Sequence, residues 1–292
     1  MTASLAGRWL GDSPDRALLV GDLHRSWHAP EVIRYAARVG AKVVVQVGDL
    51  GWEMVRPGAT ITPSLEIETT IPEAVAETGI PFFWIEGNHD RHDLLAAMRT
   101  EQCLGPGALL EVAPGVVHLP RGYRLPWGER GWLCIGGAVS ISGRPVAGEA
   151  VSDTEANEII AGNPDPAQVV VAHDTLWSAP LTGGTPSGPL ARSLGQDLPW
   201  PERIEATWWD EDRIVASDEH QRRLRRIADR CLVPGGVWVH GHHHLRYSLR
   251  IEPAGWQVEG LGTAGQPISD LTLLVDIHGR PASQPTDQDR EL

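Results

Sequence analysis

The chain has 292 residues, 41% of them hydrophobic, and a formal net charge of -13. No run approaches the roughly 18 apolar residues needed to span a membrane, and the first residues lack the basic-then-apolar order of a secretory signal, so a soluble, cytoplasmic protein without a membrane partner is expected. The negative charge argues against a broad basic footprint for nucleic acid, and the three cysteines, Cys103, Cys134 and Cys231, lie too far apart to suggest a disulfide framework or a thiolate zinc site.

Residues 1–16 carry no strong pattern, and residues 17–20 read as a short apolar strand ending in Gly21-Asp22-Leu23-His24. Pro30 suits the first turn of a helix that carries Val32, Ile33, Ala36, Ala37 and Val39 until Gly40 stops it. The stretch 43–49 is the most telling in the chain. Three valines in a row and a fourth after Gln46 suit a strand covered on both faces, and Gly48 lets the backbone turn so that Asp49 emerges at the carboxyl end. Strand, helix, strand in this order predicts a right-handed parallel crossover.

Beyond Asp49, residues 50–63 are rich in Gly and Pro and read as a loop, residues 64–78 as a helix, and residues 81–85 as a third strand that delivers Gly87-Asn88-His89-Asp90. A helix begins over 93–98, and shorter strands are expected over 108–112, 116–119 and 132–139. Ser152 and Glu155 have capping-box spacing and predict a helix to about Ala161. Residues 168–172 form a strand ending at His173 and Asp174. The rhythm then breaks. Residues 177–209 hold Gly183-Gly184, many prolines and the tryptophans at 177, 200, 208 and 209, which suggests an insertion or substrate cap over about 177–216. Ser217 resembles the N-cap of a helix with apolar positions at Leu224, Ile227, Ala228 and Cys231. Residues 235–240 give a strand ending in Gly241-His242-His243-His244, and residues 246–251, 256–261 and 271–277 read as an antiparallel meander. One domain over 1–277 and a frayed tail over 278–292 complete the expectation.

The strand ends have one chemistry in common. Asp22, His24, Asp49, Asn88, His173, His242 and His244 are oxygen or imidazole donors at or just past buried strands, a ligand set suited to borderline divalent metals. Any one of them alone is more often structural. Five such ends in this order resemble the calcineurin-like metallophosphoesterases, whose signature is Asp-x-His, Gly-Asp, Gly-Asn-His-Asp/Glu, an isolated His and Gly-His-x-His. Here it stands as Asp22-Leu23-His24, Gly48-Asp49, Gly87-Asn88-His89-Asp90, His173 and Gly241-His242-His243-His244.

The resemblance implies an α/β fold, a four-layer α/β/β/α sandwich of two mixed sheets flanked by helices, with a dinuclear site at the strand ends. It gives Asp22, His24 and His244 to one metal, Asn88, His173 and His242 to the other, and Asp49 to both as the bridge. Manganese leads as the implied metal, with iron, zinc or nickel as alternatives, two ions per chain. They would hold a bridging hydroxide that attacks phosphorus. His89 matches a non-ligand position that would protonate the leaving oxygen or stabilise its charge, with Asp90 to orient it. In the protein phosphatase branch the second motif continues as Gly-Asp-x-x-Asp-Arg-Gly. Here Gly48-Asp49-Leu50-Gly51-Trp52-Glu53 lacks that arginine, so Arg25 and Arg91, each beside a motif, stand as substitute phosphate contacts. The implied activity is hydrolysis of a phosphate mono- or diester, a small phosphate compound or nucleotide favoured. A nuclease or protein phosphatase of the same superfamily, or a noncatalytic scaffold, are the alternatives. Oligomeric state is left open.

Overall fold

A computed structural model of the chain describes residues 13–24, 28–51, 69–105, 107–140, 146–176 and 211–282. The valine-rich strand β2 (Val43–Gln46) is buried along its whole length. It pairs in parallel with β1 (Arg16–Val20) on one side and β3 (Phe82–Trp84) on the other. Such a strand has no solvent face, which is why its sequence is a continuous apolar run rather than an alternating one.

The first sheet has six strands. Its order is β12 (Thr272–Asp276), β1, β2, β3, β5 (Val116–His118) and β4 (Leu110–Ala113), with antiparallel pairings only at its two edges. The second sheet also has six and runs β10 (Tyr247–Ile251), β11 (Trp256–Gly260), β9 (Leu232–His240), β8 (Ala167–Ala172), β7 (Trp132–Ile135) and β6 (Arg124–Leu125). It too is parallel at its centre and antiparallel at both edges.

Period-2 alternation divides the side chains between layers. Leu19, Val45, Phe83 and Val117 of the first sheet meet Trp132, Cys134, Val171 and Val239 of the second in the central core. Leu18, Val44, Phe82 and Val116 point outward beneath α1 (Ala29–Arg38) and α2 (Ile71–Thr78), through Val32, Ile33, Ala36, Ala74 and Val75. On the other side, Leu133, Val170 and Trp238 pack under α4 (Asp153–Gly162) and α5 (Glu211–Cys231), through Ala156, Ile159, Leu224, Ile227 and Ala228. The result is the expected pair of mixed sheets between helices. The helix α3 (His92–Glu101) follows the third motif directly, and the capping box of α4 forms as expected, Ser152 Oγ accepting from Glu155 N–H and the Glu155 carboxylate from Ser152 N–H.

Three expectations need correction. The last three strands are not a meander: β10 and β11 pair antiparallel, but β11 joins β9 in parallel. After the short α6 (Ile268–Leu271), β12 crosses to the other sheet and pairs with β1. The edge of β1 offers unpaired backbone groups that β12 satisfies, a long-range preference that local apolar pattern does not carry. Second, α5 starts at Glu211, so Ser217 lies inside the helix and is buried there. Among the described side chains its buried apolar positions begin at Leu224, the earlier buried ones being Arg213, Ser217, His220 and Gln221. Third, residues 278–282 turn back onto β12, with Ala282 N–H donating to Leu274 O at 2.9 Å, where a frayed tail was expected. Residues 177–210 of the cap expected over about 177–216, most of the loop after Asp49 and residues 283–292 lie outside the described residues, while residues 211–216 belong to α5.

Candidate metal centre

The carboxyl ends of β1, β2 and β3 and those of β8 and β9 open on one edge of the sandwich, where their short turns bring seven donor residues together. Asp22, His24 and His244 place ligand atoms within 4.8 Å of one another, and so do Asp49, His173 and His242. His244 Nε2 lies 3.0 Å from Asp22 Oδ2, and His24 Nε2 lies 2.9 Å from His244 Nε2. In the second group His173 Nε2 lies 3.1 Å from Asn88 Oδ1 and 3.4 Å from Asp49 Oδ1. Asp49 faces both groups, since its other oxygen, Oδ2, lies 3.9 Å from His24 Nε2.

The turns that achieve this are strained. His24, Asp49, His242 and His244 all have positive φ, at 46°, 54°, 63° and 55°. For a residue with a Cβ such left-handed backbone costs about 1–3 kcal/mol and clusters at functional sites. Close approach accounts for the glycines beside the donors. A Cβ on Gly87 would overlap Asp49 Oδ1, and one on Gly241 would overlap Asp22 Oδ1. Backbone N–H groups hold the carboxylates in place: His242 N–H donates to both Asp22 oxygens, at 3.0 and 3.1 Å, and His89 N–H to Asp49 Oδ1 at 2.8 Å. His173 is oriented by Val47 O, 2.9 Å from its Nδ1, which leaves Nε2 directed at Asn88 and Asp49.

Electrostatics marks this edge as a seat for positive charge. Asp22 and Asp49 are both essentially inaccessible to solvent. Burial opposes ionisation of Asp49, yet the imidazoles of His173, His89 and His24 outweigh it and hold the carboxyl well below its usual range. Burial likewise disfavours charging His173, but Asp49 beside it pushes that imidazole up to about 10. His242 goes the other way, burial keeping it neutral and free to offer a lone pair. Two buried carboxylates, an amide oxygen and imidazole nitrogens thus converge where a cation would relieve the negative field. The donor set fits divalent metal ions.

His89 is solvent-exposed, and its ring stands edge-on to His24 with centroids 5.3 Å apart. Asp90 is buried, and its carboxylate accepts from Gly51 N–H at 2.8 Å and Gly87 N–H at 2.7 Å, tying the Asp49 turn to the Asn88 turn. Arg91 forms a two-pronged pair with Asp93, at 2.6 and 2.5 Å. Arg25 lies outside the described residues.

Two buried polar clusters escaped the sequence reading. Glu86, just before the third motif, takes His118 Nε2 at 2.7 Å and pairs with Arg121 Nε at 2.7 Å, while Arg121 also reaches the carbonyl oxygens of Gly148 and Ala150. Burial opposes its ionisation, but Arg121 and His118 hold its carboxyl far below the usual range. Asp174, the neighbour of His173, binds His220, Gln221 and His243. Only its position after His173 hinted at a role. Its partners come from α5 and the last motif, which sequence spacing does not bring together.

A family model described as calcineurin-like phosphoesterase matches residues 16–246. No curated protein matches the chain.

Proposed function

The chain belongs to the calcineurin-like phosphoesterase family, metal-dependent hydrolases of phosphoester bonds, and on that premise we propose that it cleaves a small phosphate mono- or diester, a nucleotide among the candidates, with two divalent cations. The carrying observation is Asp49, whose two oxygens face separate donor groups. A carboxylate can bind two cations at once, whereas an imidazole presents one lone pair to one ion.

In this reading Asp22, His24 and His244 hold one cation, Asn88, His173 and His242 the other, and Asp49 both. Two such ions, when bound, neutralise phosphoryl oxygens and make a water acidic enough to supply the nucleophile at neutral pH. The chain's own contribution is positioning. Val47 O fixes His173, Asp90 ties two motif turns together, and His89 stands exposed at the rim, where it can donate a proton to the departing oxygen. Among the described residues, the arginines beside the motifs support a reading in which cations, rather than a guanidinium, meet the phosphate: Arg91 is paired with Asp93, and Arg246 with Glu259 at 2.8 Å.

The test is a panel of phosphomonoesters and phosphodiesters assayed on chelator-treated protein, with manganese, iron, zinc and nickel restored singly and bound metal counted by mass spectrometry. Activity should return with two ions per chain. Full turnover by metal-free protein would end the proposal.

A further inference from the structure

Asp174 lies at the junction of three elements, and its carboxylate is saturated. Oδ1 accepts from Thr175 N–H at 2.7 Å, from His243 Nε2 at 3.1 Å and from Gln221 Nε2 at 3.3 Å, and Oδ2 accepts from His220 Nδ1 at 3.1 Å. Its own carbonyl takes Trp238 Nε1–H from β9 at 3.1 Å. Asp174 and His220 are fully buried, and His243 and Gln221 nearly so. Because a carboxylate only accepts, both imidazoles must donate, which sets the tautomer of each.

The His243 contact matters because of where that residue stands. His242 and His244, on either side of it, both have left-handed backbone, a conformation that persists only when its surroundings impose it. Gly241 N–H donates to His173 O at 3.1 Å, and three further anchors bear on residues 242–244. Asp22 takes His242 N–H, Gln266 Nε2 donates to His244 O at 3.0 Å, and Asp174 takes the His243 side chain. The first anchor is itself a donor of the metal centre, and the second holds a carbonyl. The third holds the middle of the turn through a side chain that is not itself one of the seven donors.

We propose that Asp174 is a positioning residue for the metal centre: by gripping His243 it sets the turn that aims His242 and His244 at the two donor groups. The same grip ties that turn to α5 through His220 and Gln221. Asp174, His242 and His243 lie close enough to suggest a third ion, but four donated hydrogen bonds already occupy the carboxylate. This proposal rests on the metal-binding reading given above.

Calorimetric titration of chelator-treated protein with Mn2+ alone tests it. Asp174→Ala should still take two ions per chain but bind them about 10- to 100-fold more weakly, the usual loss when a group behind a ligand is removed. His243→Ala should lose as much, and the double variant no more than either single one, because the two act through one contact. His243→Gln, which keeps a side-chain N–H, should recover most of the affinity. That pair of His243 variants decides the matter if Asp174→Ala does not fold. Native Mn2+ affinity in Asp174→Ala, or in His243→Ala, overturns the proposal. Three ions on the native chain and two on Asp174→Ala would make Asp174 a ligand, and equally overturn it. A native chain that takes up none of Mn2+, Fe2+, Zn2+ or Ni2+ would remove the metal-binding reading and this proposal with it.

Discussion

Asp49 has one carboxylate oxygen directed at each donor group, so an amide in its place forfeits both the charge and the second anionic oxygen. Asp49→Asn should reduce bound metal from two ions per chain to one or none, counted by mass spectrometry on the purified variant. Two ions and native turnover would free Asp49 from the bridging role. His89 is different, since it is exposed and stands edge-on to His24. His89→Ala should keep both ions while turnover falls roughly 100- to 10,000-fold, as for other acid–base groups. The deficit should shrink for a substrate whose leaving oxygen is already acidic. A deficit independent of leaving-group acidity would leave His89 a charge-stabilising role only. Gly87→Ala probes packing alone: its new methyl would collide with Asp49 Oδ1, so metal content should fall although no donor has been changed.

Among the elements, α5 carries the most unusual packing. Among its described side chains it buries Arg213, Ser217, His220 and Gln221 over its first half, three of them on Ser140, Glu149 and Asp174, and Leu224, Ile227 and Ala228 after them. Arg213 reaches Ser140 O at 2.8 Å through Nε and pairs with Glu149 through Nη2, so the helix holds the segment after β7. Removing one partner of a buried pair strands the other charge, which costs about 3–5 kcal/mol. Arg213→Ala should lower the unfolding free energy by that amount in urea titrations, and Arg213→Ala with Glu149→Leu should recover part of it. A double variant as unstable as the single one would show that the Ser140 contact, not the ion pair, carries the stability.

For the molecule as a whole, the edge that carries the donors opposes folding when no cation is bound. Asp22 and Asp49 are buried together there, beside four residues of left-handed backbone. Cations that bind this arrangement and not the unfolded chain should stabilise the fold by about 2.7 kcal/mol for one site held at 100-fold its Kd, or about 4 °C in Tm. Scanning calorimetry with and without chelator checks this. An unchanged Tm would mean that no ion is linked to the native state. Among the described residues no helix is long and apolar enough to cross a membrane.

Much of this protein was legible in the order of its residues, and for local reasons. A strand buried on both faces must be a continuous apolar run, so the 43–46 strand announced its central place. The donors follow such runs at short intervals because a buried strand end is where a tight turn can present them, and five motifs in sequence identify the family even though each is weak alone. The capping box at Ser152 and Glu155 was readable because both partners lie within one helical turn. What tertiary structure decided depends on contacts between distant segments. The crossing of β12 to β1 spans almost the whole chain. The early start of α5 was hidden because its buried face is polar where it meets Asp174 and Glu149. No sequence motif marks His118 or His220, and only the fold brings Glu86 and Asp174 against them. Sequence pattern reports which residues prefer to leave water, but a buried polar group is stable only with its partner, and the fold alone chooses that partner.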